Sequence, residues 1–122
     1  MSDQIAPPGP DRDAEIVLAL GGAWATLPDP IDGGTIQRIR LPDGSILGDL
    51  PPYSTDHAAC DRLVEEMLDR GWILSAEAAG HIPRNQRHQC TFTDMTNTGY
   101  GSAATRPDAV SAAALLALRG GR

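Results

Sequence analysis

The stretch Ser54-Thr55-Asp56-His57-Ala58-Ala59-Cys60-Asp61-Arg62-Leu63-Val64-Glu65-Glu66-Met67-Leu68-Asp69-Arg70-Gly71-Trp72-Ile73-Leu74 decides the fold class. Ala59, Leu63, Val64, Met67 and Leu68 recur at helical spacing, and Asp61, Arg62, Glu65, Glu66, Asp69 and Arg70 occupy the opposite face. Ser54 or Thr55 supplies the N-cap, and Gly71 is a natural residue to end the helix after Arg70. The i,i+4 pairs Arg62–Glu66 and Glu66–Arg70 each add about 0.3–0.5 kcal/mol. At Trp72-Ile73-Leu74 the pattern changes and a strand begins at once. A helix feeding directly into a strand, with alternating segments downstream, predicts an α+β domain. Its expected form is a small, mainly antiparallel sheet layered with three helices.

Downstream, Glu77 to Arg87 is polar and reads as a loop. His88 to Met95 alternates, with Cys90 and Phe92 on one face and Thr91 and Thr93 on the other. Asn97-Thr98-Gly99 turns the chain, and Tyr100 to Ala104 pairs back as a last strand. Thr105 caps a final Ala-rich helix, with Pro107 in its first turn and Asp108 at capping-box spacing. Ala109, Val110, Ala113, Leu116 and Ala117 are expected to face one way, where small side chains allow close packing on a sheet or on another subunit.

Upstream, residues 1–10 hold Pro7, Pro8, Gly9 and Pro10 and read as a flexible lead-in, so that the domain spans 11–122. Asp11 caps a first helix through Leu20, ended by Gly21-Gly22. Thr35 to Leu41 and Ser45 to Leu47 are expected to form an edge hairpin about the Pro42-Asp43-Gly44 turn.

A chain of 122 residues leaves room for one domain, two only if both were tiny. It contains 10 Arg and no Lys against 16 acidic residues, for a net charge of −6. The absence of Lys excludes Schiff-base and P-loop chemistry, and the acidic balance argues against duplex nucleic acid. The longest apolar stretch, Ala109 to Leu118, is too short to span a bilayer and no basic leader precedes it, so a cytoplasmic location is expected. Cys60 and Cys90 lie far apart without a CxxC motif and read as reduced, half-buried thiols. Val, Ile, Leu and Phe together number 24 of 122, a small stock for a core. A homo-oligomer is therefore expected.

Catalytic motifs are lacking. No HxxxH, GxSxG or Cys–His pattern occurs, and His57 and Asp56 are neighbours whose side chains diverge on a helix. Ser54, His81 and Asp94 can be combined into a triad only in the sense that many triples can. No enzyme activity, metal ligand or cofactor is assigned. Two helix starts have a dual character. Tyr53-Ser54-Thr55 and Thr105-Arg106 are ordinary capping segments, yet unpaired first-turn N–H groups also receive anions. Arg106 brings a forked cation, and Tyr53 is able to stack on a base. Arg84 and Arg87, with His88, are either a solvated loop or a lid over an anionic ligand. Trp24, Trp72 and Tyr100 are core or interface anchors first and stacking partners second.

The run Pro51-Pro52-Tyr53-Ser54-Thr55-Asp56, then His57-Ala58-Ala59, Leu63-Val64-Glu65-Glu66-Met67 and Gly71-Trp72, resembles the signature of the phage ABA sandwich domain. Gly22-Ala23-Trp24, Cys90-Thr91-Phe92 and Ala103-Ala104-Thr105-Arg106-Pro107 are similar to flanking segments of that family, whereas 29–48 departs from it. The resemblance implies an α–β–α layered phage or prophage protein and brings no catalytic residues. Small phage proteins often act in counter-defence. This gives the first functional expectation, a binding protein that sequesters a nucleotide-derived immune signal of the cyclic dinucleotide or cyclic ADP-ribose type. Its site would be Tyr53, Ser54, Thr55, Arg84, Arg87, Thr105 and Arg106. The alternative is a structural or interaction protein that docks on another protein without a small-molecule ligand.

Overall fold

The computed structural model describes residues 5–120. Three helices, α1 (Pro10–Ala19), α2 (His57–Asp69) and α3 (Arg106–Leu118), accompany five strands. The strands are β1 (Ala23–Pro28), β2 (Thr35–Arg40), β3 (Ile73–Ala78), β4 (His88–Thr93) and β5 (Thr98–Ala103). The class is the expected α+β, with every strand pair antiparallel, but the strands form two sheets, β1–β2 and β3–β4–β5.

The first hairpin is more extended than expected. β2 pairs with β1 in the register Trp24↔Ile39 and Thr26↔Gln37. That reversal is made in the loop after Pro28, where Gly33 and Gly34 both adopt positive φ. The expected return about Pro42-Asp43-Gly44 forms as well, as a short arm on the other edge of β2: Arg40 bridges Ile46, the Leu41 N–H bonds the Ser45 carbonyl at 2.8 Å, and the Leu47 N–H bonds the Ile39 carbonyl at 2.9 Å.

The domain also begins earlier than Asp11. α1 starts at Pro10 after a Gly9 N-cap, Ile5 packs against the core, and the Ala6 carbonyl accepts a bond from Arg12. Proline at the first helical position loses no hydrogen bond, so the helix need not wait for an aspartate cap. Residues 1–4 of the expected lead-in lie outside the described residues.

In α2 the cap is Asp56, whose carboxylate accepts the Ala59 N–H at 2.9 Å, rather than Ser54 or Thr55. Ala59, Cys60, Leu63, Val64 and Met67 are buried, whereas Leu68 is 44% exposed. Of the two expected helix-surface pairs, Glu66–Arg70 forms at 2.7 Å, and Arg70 also donates to the Leu20 carbonyl.

α3 is capped by Thr105 as expected and is buried on nearly every side. Leu115 is fully buried and Leu116 only half-buried, a rotation from the expected face. The helix lies between β5 and α1. Ala109, Ala113 and Ala117 press their backbone so closely on Gly99 and Gly101 that a Cβ on either glycine would overlap helix backbone. The small residues of this helix thus serve a contact within the chain. Around it, Phe92, Leu63, Met67, Ile16, Val110, Cys60 and Cys90 complete the core.

The layering is one-sided. α2 and α3 cover the sheet face that carries Cys90 and Phe92, and α1 packs on α3. No helix covers the opposite face among the described residues. The β5 edge is overlaid by the 3-10 turn Arg84–Gln86, and Ser102 Oγ donates to the Gln86 carbonyl at 3.3 Å.

Candidate functional site

The starts of the three helices converge, and their polar groups satisfy one another. Asp13, on the first turn of α1, accepts both the backbone N–H of Ser54 (2.9 Å) and its hydroxyl (2.7 Å). Ser54 Oγ in turn accepts the Gly9 N–H at 2.8 Å, which ties the N-cap of α1 to the segment before α2. Arg12 spans to α3, where its Nη1 meets the Asp108 carboxylate at 2.5 Å, the Asp108 carbonyl and Ser111 Oγ. Arg12, Asp13, Ser54 and Ser111 are all buried. Arg106, at the start of α3, pairs with Asp61 on α2 at 2.7 Å and lies 3.7 Å from Cys60 Sγ. The Asp61 hydrogen bond raises its already high pKa further.

Of the seven residues singled out from the sequence, such bonds take up Ser54, Thr105 and Arg106. Ser54 faces inward and is held by Asp13 and Gly9, while Thr55 beside it is exposed. Thr105 Oγ1 accepts the Asp108 N–H at 3.3 Å. Tyr53 lines a separate groove of about 420 Å³, shared with Val17, Leu20, Leu47, Glu66 and Arg70, that does not include Arg106. Burial and the nearby Glu66 push its hydroxyl pKa upward. Arg84 is exposed in the 3-10 turn. Arg87 donates weakly to the Gly80 carbonyl at 3.4 Å, and its buried Nε has no partner among the described residues. Asp94 accepts the N–H groups of Thr96 and Asn97 in the turn between β4 and β5.

Besides the Tyr53 groove, two further places bear on function. The first is a recess of about 250 Å³ with Ala76, Ala78, Cys90, Ala109 and Val110 as walls and Glu77, His88, Gln89 and Arg106 at the rim. Burial disfavours the thiolate there, pushing Cys90 up to about 12 and its neighbour Cys60 to about 11. Among the described residues no group of His, Cys, Asp or Glu is arranged to hold a metal ion.

The second is the uncovered sheet face. The strand registers place Ile73, Ser75 and Glu77 of β3, Thr93, Thr91 and Gln89 of β4, and Thr98, Tyr100 and Ser102 of β5 side by side. Ile73 is 64% and Tyr100 47% exposed, and Thr93 and Thr98 join hydroxyls at 2.8 Å. Glu77 is the one charge in that array. Sequence reasoning passed over it, although the alternation of threonines with Cys90 and Phe92 marks it. It also passed over Arg12 and Asp13, and read Asp108 only as part of a cap, because charges in a first helical turn ordinarily belong to solvent.

No family model and no curated protein matches this chain. A solved structure described as a phage protein from Bacillus cereus is similar to it, with a TM-score of 0.61 and 20% identity over 94% of each chain. At that identity the likeness concerns the fold. No described helix is long and apolar enough to cross a membrane.

Proposed function

We propose that this chain acts by binding rather than by catalysis, and that it docks on another protein through the uncovered face of the β3–β4–β5 sheet. The observation that carries the reading is the composition of that face. A solvated antiparallel sheet surface is ordinarily polar; here Ile73 and Tyr100 stand exposed among hydroxyl side chains with a single charge. Depletion of charge around aromatic anchors is the pattern of interface cores. The fitting partner surface is uncharged and bears its own apolar anchors. The fold likeness to a phage protein supports a phage or prophage setting, and with it action inside a host cell.

Sequestration of a nucleotide-derived immune signal is the second reading, favoured by the recess flanked by Arg106 and His88. It ranks below the first because that recess, at about 250 Å³, is smaller than the roughly 300–1,000 Å³ of ordinary ligand sites, and the larger Tyr53 groove offers one cation, Arg70, already paired with Glu66. Arg106 is moreover already paired with Asp61.

One experiment separates them. A photo-crosslinking amino acid placed at Tyr100 is expected to give a discrete protein adduct in the host, whereas the same group at Arg62, on the outer face of α2, gives none. In parallel, purified protein is melted with cyclic dinucleotides and cyclic ADP-ribose. Absence of a position-100 adduct, together with a nucleotide-induced rise of several degrees, overturns the docking reading in favour of sequestration.

A further inference from the structure

Among the described residues, each sheet has one free strand edge. In the larger sheet the β5 edge is overlaid by the 3-10 turn, but β3 has no neighbour on its outer side among the described residues, and five of its six residues are exposed. In the smaller sheet, β2 is bridged by Ile46 and by the Leu47 N–H to the Ile39 carbonyl at 2.9 Å, whereas the outer edge of β1 is unpaired. Folded proteins ordinarily protect such edges with prolines, charges or covering loops. β3 carries only Glu77 for that purpose, and β1 only the terminal Pro28.

The β1–β2 ribbon is itself underpacked. Neither of its strands packs extensively on a helix or on the larger sheet. Ile39, 3% exposed, anchors its base over Gly22, while Trp24 on the same ribbon face is 55% exposed. A two-stranded ribbon in water is marginal by itself and gains stability by joining further strands.

We propose that the occupant of the β3 edge is the β1 edge of a second copy of this chain, so that ribbon and sheet join across the interface. The two strands have six residues each, about 20 Å of matched edge. The charges of the ribbon and of the β3 edge are complementary. β1 itself is uncharged, and β2 beside it carries Arg38 and Arg40 on one face of the ribbon and no acidic residue, while the remainder of the chain has 8 Arg against 16 acidic residues. β3 presents Glu77. Each copy offers one donor ribbon and one acceptor edge. Reciprocal exchange therefore closes a dimer, and one-way exchange builds a ring or filament. This interface uses the backbone edge of β3; Ser75 and Glu77 also lie on the face assigned above to a protein partner, whereas Trp24 and Thr26 of the ribbon do not.

The test uses the full chain. Sedimentation at micromolar to submillimolar concentration is expected to show self-association, weakened several-fold by Glu77→Arg and by Trp24→Glu, both at exposed positions. A mixture of the single variants Thr26→Cys and Ser75→Cys, treated with a short bismaleimide, is expected to yield a mixed dimer. The native cysteines are buried and do not compete. Thr26→Cys mixed with Arg62→Cys is the control and should stay uncrosslinked. A chain that remains monomeric throughout, or that crosslinks as well through position 62 as through position 75, overturns the proposal. A null result at these positions leaves the crosslink expected at Tyr100 unaffected, so the two readings fail separately.

Discussion

The carbonyl of Ala109 occupies the space in which a side chain at position 101 would have to begin, so α3 rests on β5 only because Gly101 has none. Gly101→Ala is expected to destabilise the protein by about 1–3 kcal/mol or more, since backbone on both sides must separate to admit the methyl group. Gly99→Ala meets the backbone of Ala113 and Ala117 and should behave alike. Gly80→Ala meets nothing and should change stability by less than about 0.5 kcal/mol. Urea melts of the three variants provide the comparison.

Arg12 is the charge most dependent on its surroundings. It is 5% exposed and meets Asp108, Ser111 and the Ala6 carbonyl. Removing one member of a buried pair costs about 3–5 kcal/mol, because the other is left uncompensated. Arg12→Ala should reach that range in a denaturant melt, and Arg84→Ala, at an exposed position, should not.

Ser54→Ala removes the hydroxyl that Asp13 accepts and the acceptor of the Gly9 N–H. The expected loss is about 1–3 kcal/mol from buried groups without partners. Thr55→Ala next to it is a surface change and should be nearly neutral. Equal effects at 54 and 55 would show that the serine is not the tie between α1 and α2.

Leu63 is fully buried on the inner face of α2, and Leu68 is 44% exposed. Leu63→Ala should cost about 2–5 kcal/mol, several times the loss from Leu68→Ala. Thermal or chemical denaturation of the pair measures how far the inner face extends around the helix.

The thiols predict an alkaline limit. Burial raises Cys60 to about 11 and Cys90 to about 12 from the ordinary 9.0. Between pH 9.0 and those values the folded chain keeps protons that the unfolded chain releases, so unfolding free energy falls as pH rises through the window. The decline should be reduced in a Cys60→Ala/Cys90→Ala variant, or in one carrying serine if alanine proves too unstable, leaving the share that the raised Tyr53 hydroxyl contributes. For the same reason neither native thiol should react with a thiol reagent at pH 8 until the chain unfolds.

Local chemistry was enough to read α2, β4 and the Thr105 cap, because hydrophobic period and capping residues act over one or two turns of chain. The same reading found the Pro42-Asp43-Gly44 turn, where the Gly44 N–H bonds the Leu41 carbonyl at 2.9 Å and Arg40 bridges Ile46, but passed over β1, whose six residues pair with the other edge of β2. A turn signal marks a local reversal, whereas the partner on a strand's other edge is chosen by pairing across the fold.

For the site residues the division is sharper. From sequence, Ser54 is a cap, Arg106 a free cation and Asp108 half of a capping box. In the fold, Ser54 faces Asp13 and Gly9, Arg106 faces Asp61, and Asp108 faces Arg12, partners 41–96 residues away. Helix-capping preference is a property of a few consecutive residues and was legible. Which polar groups neutralise one another, and which sheet face stays uncovered, depends on how three helices crowd one side of a glycine-bearing strand, and only tertiary packing brings those distant groups within bonding distance.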